Sequence, residues 1–397
     1  MPQKISARAA LILSAGFLAL FLGGGARFAV GLTFKPIVDD LHWDRSQLGL
    51  AVALFQLVSA SAMFAAGRLA DRSDPRLVLS GGLLVSGIGI GAMSLMSAPW
   101  HALLLYGVVF ALGNGAASII PVGVMVTRAF PRRMGIANAA VMSGMSVGQL
   151  VMIATLAVVM VSLSWRSVFL LLGFALLAPL PLLLLAPKTT SAQTKAAQAD
   201  AGAGLAEVAR MREFWLLLAI YALCGFGDFF TSTHVVAFAQ DRGVSPLLAG
   251  NLLALMGLTG LIGVIAAGAV SDRVGPIWPT ALAFAARVAV FALVLVDQSE
   301  ISVAIFALVF GATFLVTAPL TVVFVAERFG RRQLGALTGL ITMVHQICGG
   351  IGAYLGAAVF DATGTYNDAF LVMLVAAFVA LLLTLMLRKP DYAEAAV

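Results

Sequence analysis

The sequence predicts an all-α membrane protein of twelve transmembrane helices, arranged as two pseudo-symmetric six-helix bundles, and three observations predict it. The 397 residues are 61% hydrophobic and only 11% charged, with a mean hydropathy of +1.04; a water-soluble domain needs more polar surface than that. The apolar residues fall into stretches of about 20, the length at which a helix crosses a bilayer. Landmarks of the first half also return at a nearly constant offset in the second.

The spans fall at roughly 9–38, 46–67, 77–97, 101–127, 135–162, 166–187, 214–239, 246–270, 277–296, 301–326, 334–359 and 367–387. Lys4 and Arg8 precede a run too long for a signal-peptide core and without an obvious cleavage site, so the first span is expected to be retained. An even number of spans puts both termini on one side, and the basic residues say which side. With the N-terminus in the cytoplasm, eighteen Lys and Arg residues fall on the cytoplasmic side. Only Lys35, Arg45, Arg166 and Arg242 fall outside, and Arg27 and Arg287 remain within the membrane. Excess positive charge marks cytoplasmic loops, so a multi-pass cell (inner) membrane protein with cytoplasmic termini is expected. The outer loops carry acids instead, among them Asp39, Asp40, Asp241 and Asp361.

Residues 188–212, rich in Ala, Gln and Gly, form the longest polar connection and read as a cytoplasmic linker between an N-terminal bundle, 1–187, and a C-terminal bundle, 213–397. The loop Gly67-Arg68-Leu69-Ala70-Asp71-Arg72 after the second span is echoed by Gly268-Ala269-Val270-Ser271-Asp272-Arg273 after the eighth, 201 positions on. Arg128-Ala129-Phe130-Pro131-Arg132-Arg133 is echoed by Arg328-Phe329-Gly330-Arg331-Arg332. Shared offsets of this kind indicate a parallel internal repeat about an axis along the membrane normal.

The G-x-L-A-D-R-x-x-x-R loop at 67–76, its echo, the twelve spans and the central linker resemble the major facilitator superfamily over the whole chain. Gly31-Leu32-Thr33-Phe34-Lys35-Pro36 and the run from His345-Gln346 to Tyr366 look like bacterial members of the monocarboxylate and oxalate-formate transporter group. That resemblance implies transport of a small organic acid anion, often with a proton. The group carries a basic residue in span 1 and an Asp/Arg pair in span 8. Here span 8 is uncharged, the acid is Asp228 in span 7 and the second arginine is Arg287 in span 9. In the loop motif, Asp71, Arg72, Asp272 and Arg273 are expected to act as a gating clasp, in which a carboxylate near a helix N-terminus meets an arginine across the bundles and favours the outward-facing state.

Residues of the spans themselves point to the site. Arg27 lies mid-span in Gly23-Gly24-Gly25-Ala26-Arg27 and cannot easily reach water from either end. An ionised group at that depth costs at least roughly 2.5 kcal/mol, so it is expected to face protein or a watery cavity. At 3, 4 and 7 residue spacing it shares a face with Gly23, Gly24, Val30, Gly31 and Phe34, whose small members leave room for a substrate or a neighbouring helix. Asp228, 201 positions later, shares a polar face with Tyr221, Cys224, Thr231 and Ser232; it reads either as a static partner of Arg27 or as a proton acceptor that releases it. Asn114 in span 4, with Thr313, Thr317 and Thr321 in span 10, are expected to line the cavity, while backbone bonding is the plainer reading of the threonines. Arg287 is open to snorkelling, to pairing with an acid or to substrate contact. His345 and Gln346, mid-span in span 11, are candidates for carboxylate orientation and, for His345, proton coupling.

No Walker loop or dinucleotide fingerprint occurs, and the histidines lack metal-ligand spacing. Despite a pI near 9.7, the basic residues form no patch with interleaved aromatics. No enzymatic activity, cofactor, metal or nucleic-acid partner is expected. The expectation is a monomeric secondary transporter of a small organic anion, a monocarboxylate, carried with a proton by alternating access. The other reading is an exporter of amphipathic or cationic compounds that uses Asp228 as counter-charge.

Overall fold

In the computed structural model, residues 7–130, 134–188, 205–330 and 334–387 are described. Of the linker, 189–204 lie outside them, and so do the side chains of Asp71 and Asp272. Among the described residues there is no β-strand, and twelve helices are long and apolar enough to cross a membrane. Spans 1 to 6 are Ala10–Leu41, Arg45–Ala70, Pro75–Leu95, Pro99–Val126, Ala140–Val159 and Trp165–Leu185. Spans 7 to 12 are Arg212–Asp241, Pro246–Ser271, Ile277–Val296, Glu300–Phe329, Ala336–Thr363 and Asn367–Leu385.

The halves meet through three helix pairs: span 1 with span 7, span 2 with span 11, and span 5 with span 8. Lipid tails are as apolar as a leucine side chain, so association inside a bilayer relies on close packing over small residues. A methyl group at Gly31 would strike the Ser232 carbonyl, and one at Gly250 would meet the Ala157 methyl at 2.7 Å. These contacts lie in the halves of the spans away from the chain termini, hereafter the far side.

Two spans are broken midway. Helix Ala111–Ala116 stops at Ala117, and Ile119–Ala129 starts again after an extended Ser118. In span 10 the break falls between Glu300–Phe314 and Thr317–Phe329. Pro121 and Pro319 explain both breaks: proline has no N–H to donate, and its ring clashes with the carbonyl four residues earlier, here Ala117 and Leu315. The repeat read from the loops therefore extends to the joints inside the membrane.

The far side is sealed by a latch centred on Arg45 at the start of span 2. Its guanidinium pairs with Asp241 at 2.7 Å, donates to the Tyr366 hydroxyl at 2.5 Å and lies 3.6 Å from the Phe360 ring centroid. The Asp361 carboxylate accepts from the backbone N–H groups of Arg45 and Ser46, at 2.9 and 2.7 Å, and so satisfies two of the free donors at that helix start. Lys35 adds a second ion pair with Asp241, at 3.3 Å. Tyr366 in turn hydrogen bonds to Nδ1 of His234, whose Nε2 donates to the Ala353 carbonyl, so one chain of bonds runs through spans 2, 12, 7 and 11. At the opposite side, Arg72 and Arg273 stand exposed.

Breaking a largely buried ion pair by removing one partner costs about 3 kcal/mol, a population ratio on the order of a hundredfold. Arg45→Ala removes the guanidinium and leaves the Asp361 cap in place. It is expected to populate a far-side-open state, seen as a longer component in the distance between spin labels at Ser162 and Leu247. An unchanged distance distribution would show that Arg45 is not the latch.

Candidate functional site

Between the halves lies a cavity of about 180 Å³. Its wall is drawn from spans 1, 2, 4, 5, 7, 10 and 11, and includes Gly23, Arg27, Asn114, Tyr221, Asp228, His345 and Gln346. The far-side seal lies beyond it, and Thr342 on its rim is exposed, so the cavity is reached from the side of the chain termini.

Arg27 projects into this space half-buried. Its Nη2 donates to Oε1 of Gln56 at 3.1 Å and of Gln346 at 3.2 Å, and its guanidinium carbon lies 4.8 Å from the Phe229 ring centroid. Two carboxamide oxygens and an aromatic face orient the cation without neutralising it. No carboxylate among the described residues forms an ion pair with Arg27. Past it toward the far side is a second, smaller void of about 20 Å³, bordered by Gln56, Tyr106, Ser232 and Thr233.

Asp228 is differently placed from either sequence reading that paired it with Arg27. Its partner is Arg287, at 2.8 Å, and each side chain is only 2% exposed. Span 9 turns Arg287 inward, where its Nε donates to the Thr313 hydroxyl at 3.0 Å and its Nη2 to the Thr313 carbonyl at 2.9 Å. Of the three readings open for Arg287 the structure shows the pairing with an acid: it stands behind Asp228 and is absent from the cavity lining. Burial explains the pairing, because a guanidinium so far from water needs a matched charge and acceptors for its remaining protons.

His345 gives Asp228 a second nitrogen. Its Nε2 donates to Oδ2 at 3.1 Å, and its side chain is 19% exposed, toward the cavity. With Nε2 committed to a carboxylate, which only accepts, the ring position left for proton uptake is Nδ1. Cys224 completes the group, receiving a hydrogen bond from Arg287 at 3.3 Å and donating to Asp228 at 3.4 Å. The Cys224, Asp228 and His345 donor atoms lie within 4.8 Å of one another, a spacing that could hold a metal ion, but the Arg287 guanidinium already occupies the cation's place beside them.

The other expected residues divide. Asn114 borders the cavity and donates to the Gly23 carbonyl at 3.4 Å. Tyr221 borders it too, but its hydroxyl is spent on the Thr317 carbonyl at 2.7 Å. Thr317 and Thr321 line the wall, with Thr321 bonded back to its own helix, while Thr313 serves Arg287. Of the glycines on the Arg27 face, Gly23 and Gly24 both border the cavity, Gly24 also packing on the Met145 backbone, while Gly31 packs on Ser232. Sequence reasoning passed over Gln56, Gln149 and Phe229. The two amides were visible as polar residues inside apolar spans; nothing local marked Phe229 among 25 phenylalanines.

A mid-membrane cavity holding charged side chains, set between two six-helix halves, sealed on one side and open on the other, defines a membrane transporter. The chain matches the Major Facilitator Superfamily over residues 16–353 and again over 221–397, and it belongs to that family. It is 25% identical to the uncharacterized MFS-type transporter YcxA of Bacillus subtilis (strain 168), over 83% of each chain. It is also 25% identical to monocarboxylate transporter 13 of Rattus norvegicus, over 91% of this chain and 84% of that one. Its fold is similar to that of a bacterial homolog of the human lysosomal transporter Spinster, in an inward-facing and occupied conformation, with a TM-score of 0.79 at 15% identity over 96% and 97% of the two chains.

Removing one member of the buried pair should be costlier than removing both. Asp228→Asn leaves Arg287 uncompensated and is expected to lower stability by about 3–5 kcal/mol. Adding Arg287→Met should recover most of the loss, measured as thermal unfolding of the purified protein. A double variant no more stable than Asp228→Asn would mean that the pair is not the structural unit described.

Proposed function

We propose that this protein is a secondary transporter of a small organic anion, a monocarboxylate, carried with a proton by alternating access. One observation supports this most: Arg27 faces the cavity with no described carboxylate partner, while Asp228 is matched by Arg287 and His345. A cation oriented only by neutral acceptors favours a negatively charged solute, and in a site shielded from bulk water that preference is strengthened. The half-helix Ile119–Ala129 adds to it, since it begins at the cavity wall and its N-terminal end carries partial positive charge. The same arrangement argues against an exporter of cations, because the Asp228 charge is already matched. The rat relative, a monocarboxylate transporter, agrees with the anion reading.

His345 is the proposed proton carrier, with Asp228 holding its ring. Asp228 and Arg287 cancel each other, so the empty site holds one net charge, that of Arg27. An anion on Arg27 and a proton on His345 Nδ1 change this by minus one and plus one. Empty and doubly loaded carriers then carry the same charge as they reorient, and the net movement is electroneutral. The bundles 1–187 and 213–397 are the proposed moving bodies, joined by 188–212, with both termini in the cytoplasm and the cavity open inward in this conformation. In the outward-open state Asp71, Arg72, Asp272 and Arg273 would close the cytoplasmic side.

Uptake of labelled carboxylates into proteoliposomes under an inward proton gradient tests the scheme. Arg27→Ala is expected to lower transport by about thirtyfold or more, on the order of the 2–5 kcal/mol lost with a desolvated charge partner. Arg27→Lys should keep part of it. His345→Gln is expected to abolish stimulation by the gradient while retaining counterflow of substrate. Arg27→Ala uptake equal to wild type would overturn the anion site; gradient-stimulated uptake by His345→Gln would overturn the proton route.

A further inference from the structure

The cavity wall says more about the anion than its charge. Among the described lining residues Arg27 is the one guanidinium, and the other arginine of this region is held behind Asp228. A second carboxylate on the solute would therefore find no second unmatched guanidinium among the described lining residues, and away from a few amides, hydroxyls and His345 it would lose its hydration against apolar surface. Most of the remaining wall is hydrocarbon, including Leu20, Phe28, Met63, Met145 and Phe314. Phe28 and Phe314 meet edge to face across the two halves, with ring centroids 6.1 Å apart, and Phe229 lies beside the Arg27 guanidinium.

Size points the same way. A cavity of about 150 Å³ with aliphatic and aromatic walls is large enough to take up benzene; this one measures about 180 Å³. A two- or three-carbon acid bound at Arg27 would leave most of that space next to apolar side chains as water or void. Each buried CH₂ group in its place contributes about 0.8 kcal/mol.

Resting on the anion-site reading, we infer that the preferred substrate is a monoanion with an apolar body the size of one ring, an aryl-substituted or branched aliphatic monocarboxylate, rather than a short hydroxy or keto acid or a dicarboxylate. The carboxylate lies on Arg27 between Gln56 and Gln346, and the apolar body extends along Phe28 and Phe314 toward Met63 and Met145.

Affinity of the purified full-length chain, read from ligand-induced stabilisation against unfolding, tests this with phenylacetate, 4-methylpentanoate, lactate, pyruvate, succinate and the uncharged benzyl alcohol. Phenylacetate and 4-methylpentanoate are expected to bind at least tenfold more tightly than lactate or pyruvate, and succinate no better than lactate. Benzyl alcohol should bind at least tenfold more weakly than phenylacetate, a gap that Arg27→Gln closes. Lactate, pyruvate or succinate binding as tightly as phenylacetate, with their affinity lost in Arg27→Gln, would refute the substrate class while leaving the anion site standing. Benzyl alcohol equal to phenylacetate in the wild-type protein would refute the anion site itself. Because the wild-type panel alone separates these outcomes, the test does not depend on the variant folding.

Discussion

The cost of holding charge inside a bilayer governs this structure. Three ionic side chains lie near the midplane, and the protein treats them unequally. Asp228 and Arg287 are both almost wholly enclosed, and each is stable there because the other is 2.8 Å away and Thr313, Cys224 and His345 take up the remaining hydrogen-bonding capacity. Arg27 receives two amide oxygens, an aromatic face and an open cavity. The enclosed pair lies in the C-terminal half, with Asp228 at the wall, and among the described lining residues it leaves Arg27 as the one guanidinium without a carboxylate.

That division links the site to the rest of the fold. Span 7 carries Asp228 and also supplies Ser232 against Gly31 and Asp241 against Arg45. Span 11 carries His345 and Gln346, and ends in Phe360 and Asp361 at the latch. Any change in how spans 7 and 11 lie against spans 1 and 2 is therefore felt both at the cavity and at the far-side seal. The proline joints of spans 4 and 10 sit beside the same cavity, on opposite halves, at positions related by the internal repeat.

Much of this was legible in the sequence, for physical reasons. Apolar length and loop charge mark spans and repeat because the bilayer imposes both directly. Intramembrane Arg27, Asp228, His345, Gln346 and Asn114 stood out because such residues are expensive to place against lipid, and the structure gathers all five at one cavity. What could not be read was partnership. Whether Asp228 meets Arg27 or Arg287 depends on the rotation of span 9 about its axis, which the apolar residues on every side of Arg287 do not record. Gln56 serves Arg27 from another span, 29 residues away. Arg45, Asp241, Asp361 and Tyr366 looked like scattered loop residues because the latch joins parts of the chain up to 321 positions apart.

The small void beyond Arg27 also bears on the leakage of ions. Its volume of about 20 Å³ is room for about one water molecule, and from there to the far-side loops the helices are packed through Gly31, Ser232 and the Arg45 cluster. A single isolated water cannot form the continuous hydrogen-bonded file along which protons hop, and the fixed positive charge of Arg27 repels a proton arriving from the open side. The seal therefore resists the passage of protons as well as of larger solutes while the cavity stands empty.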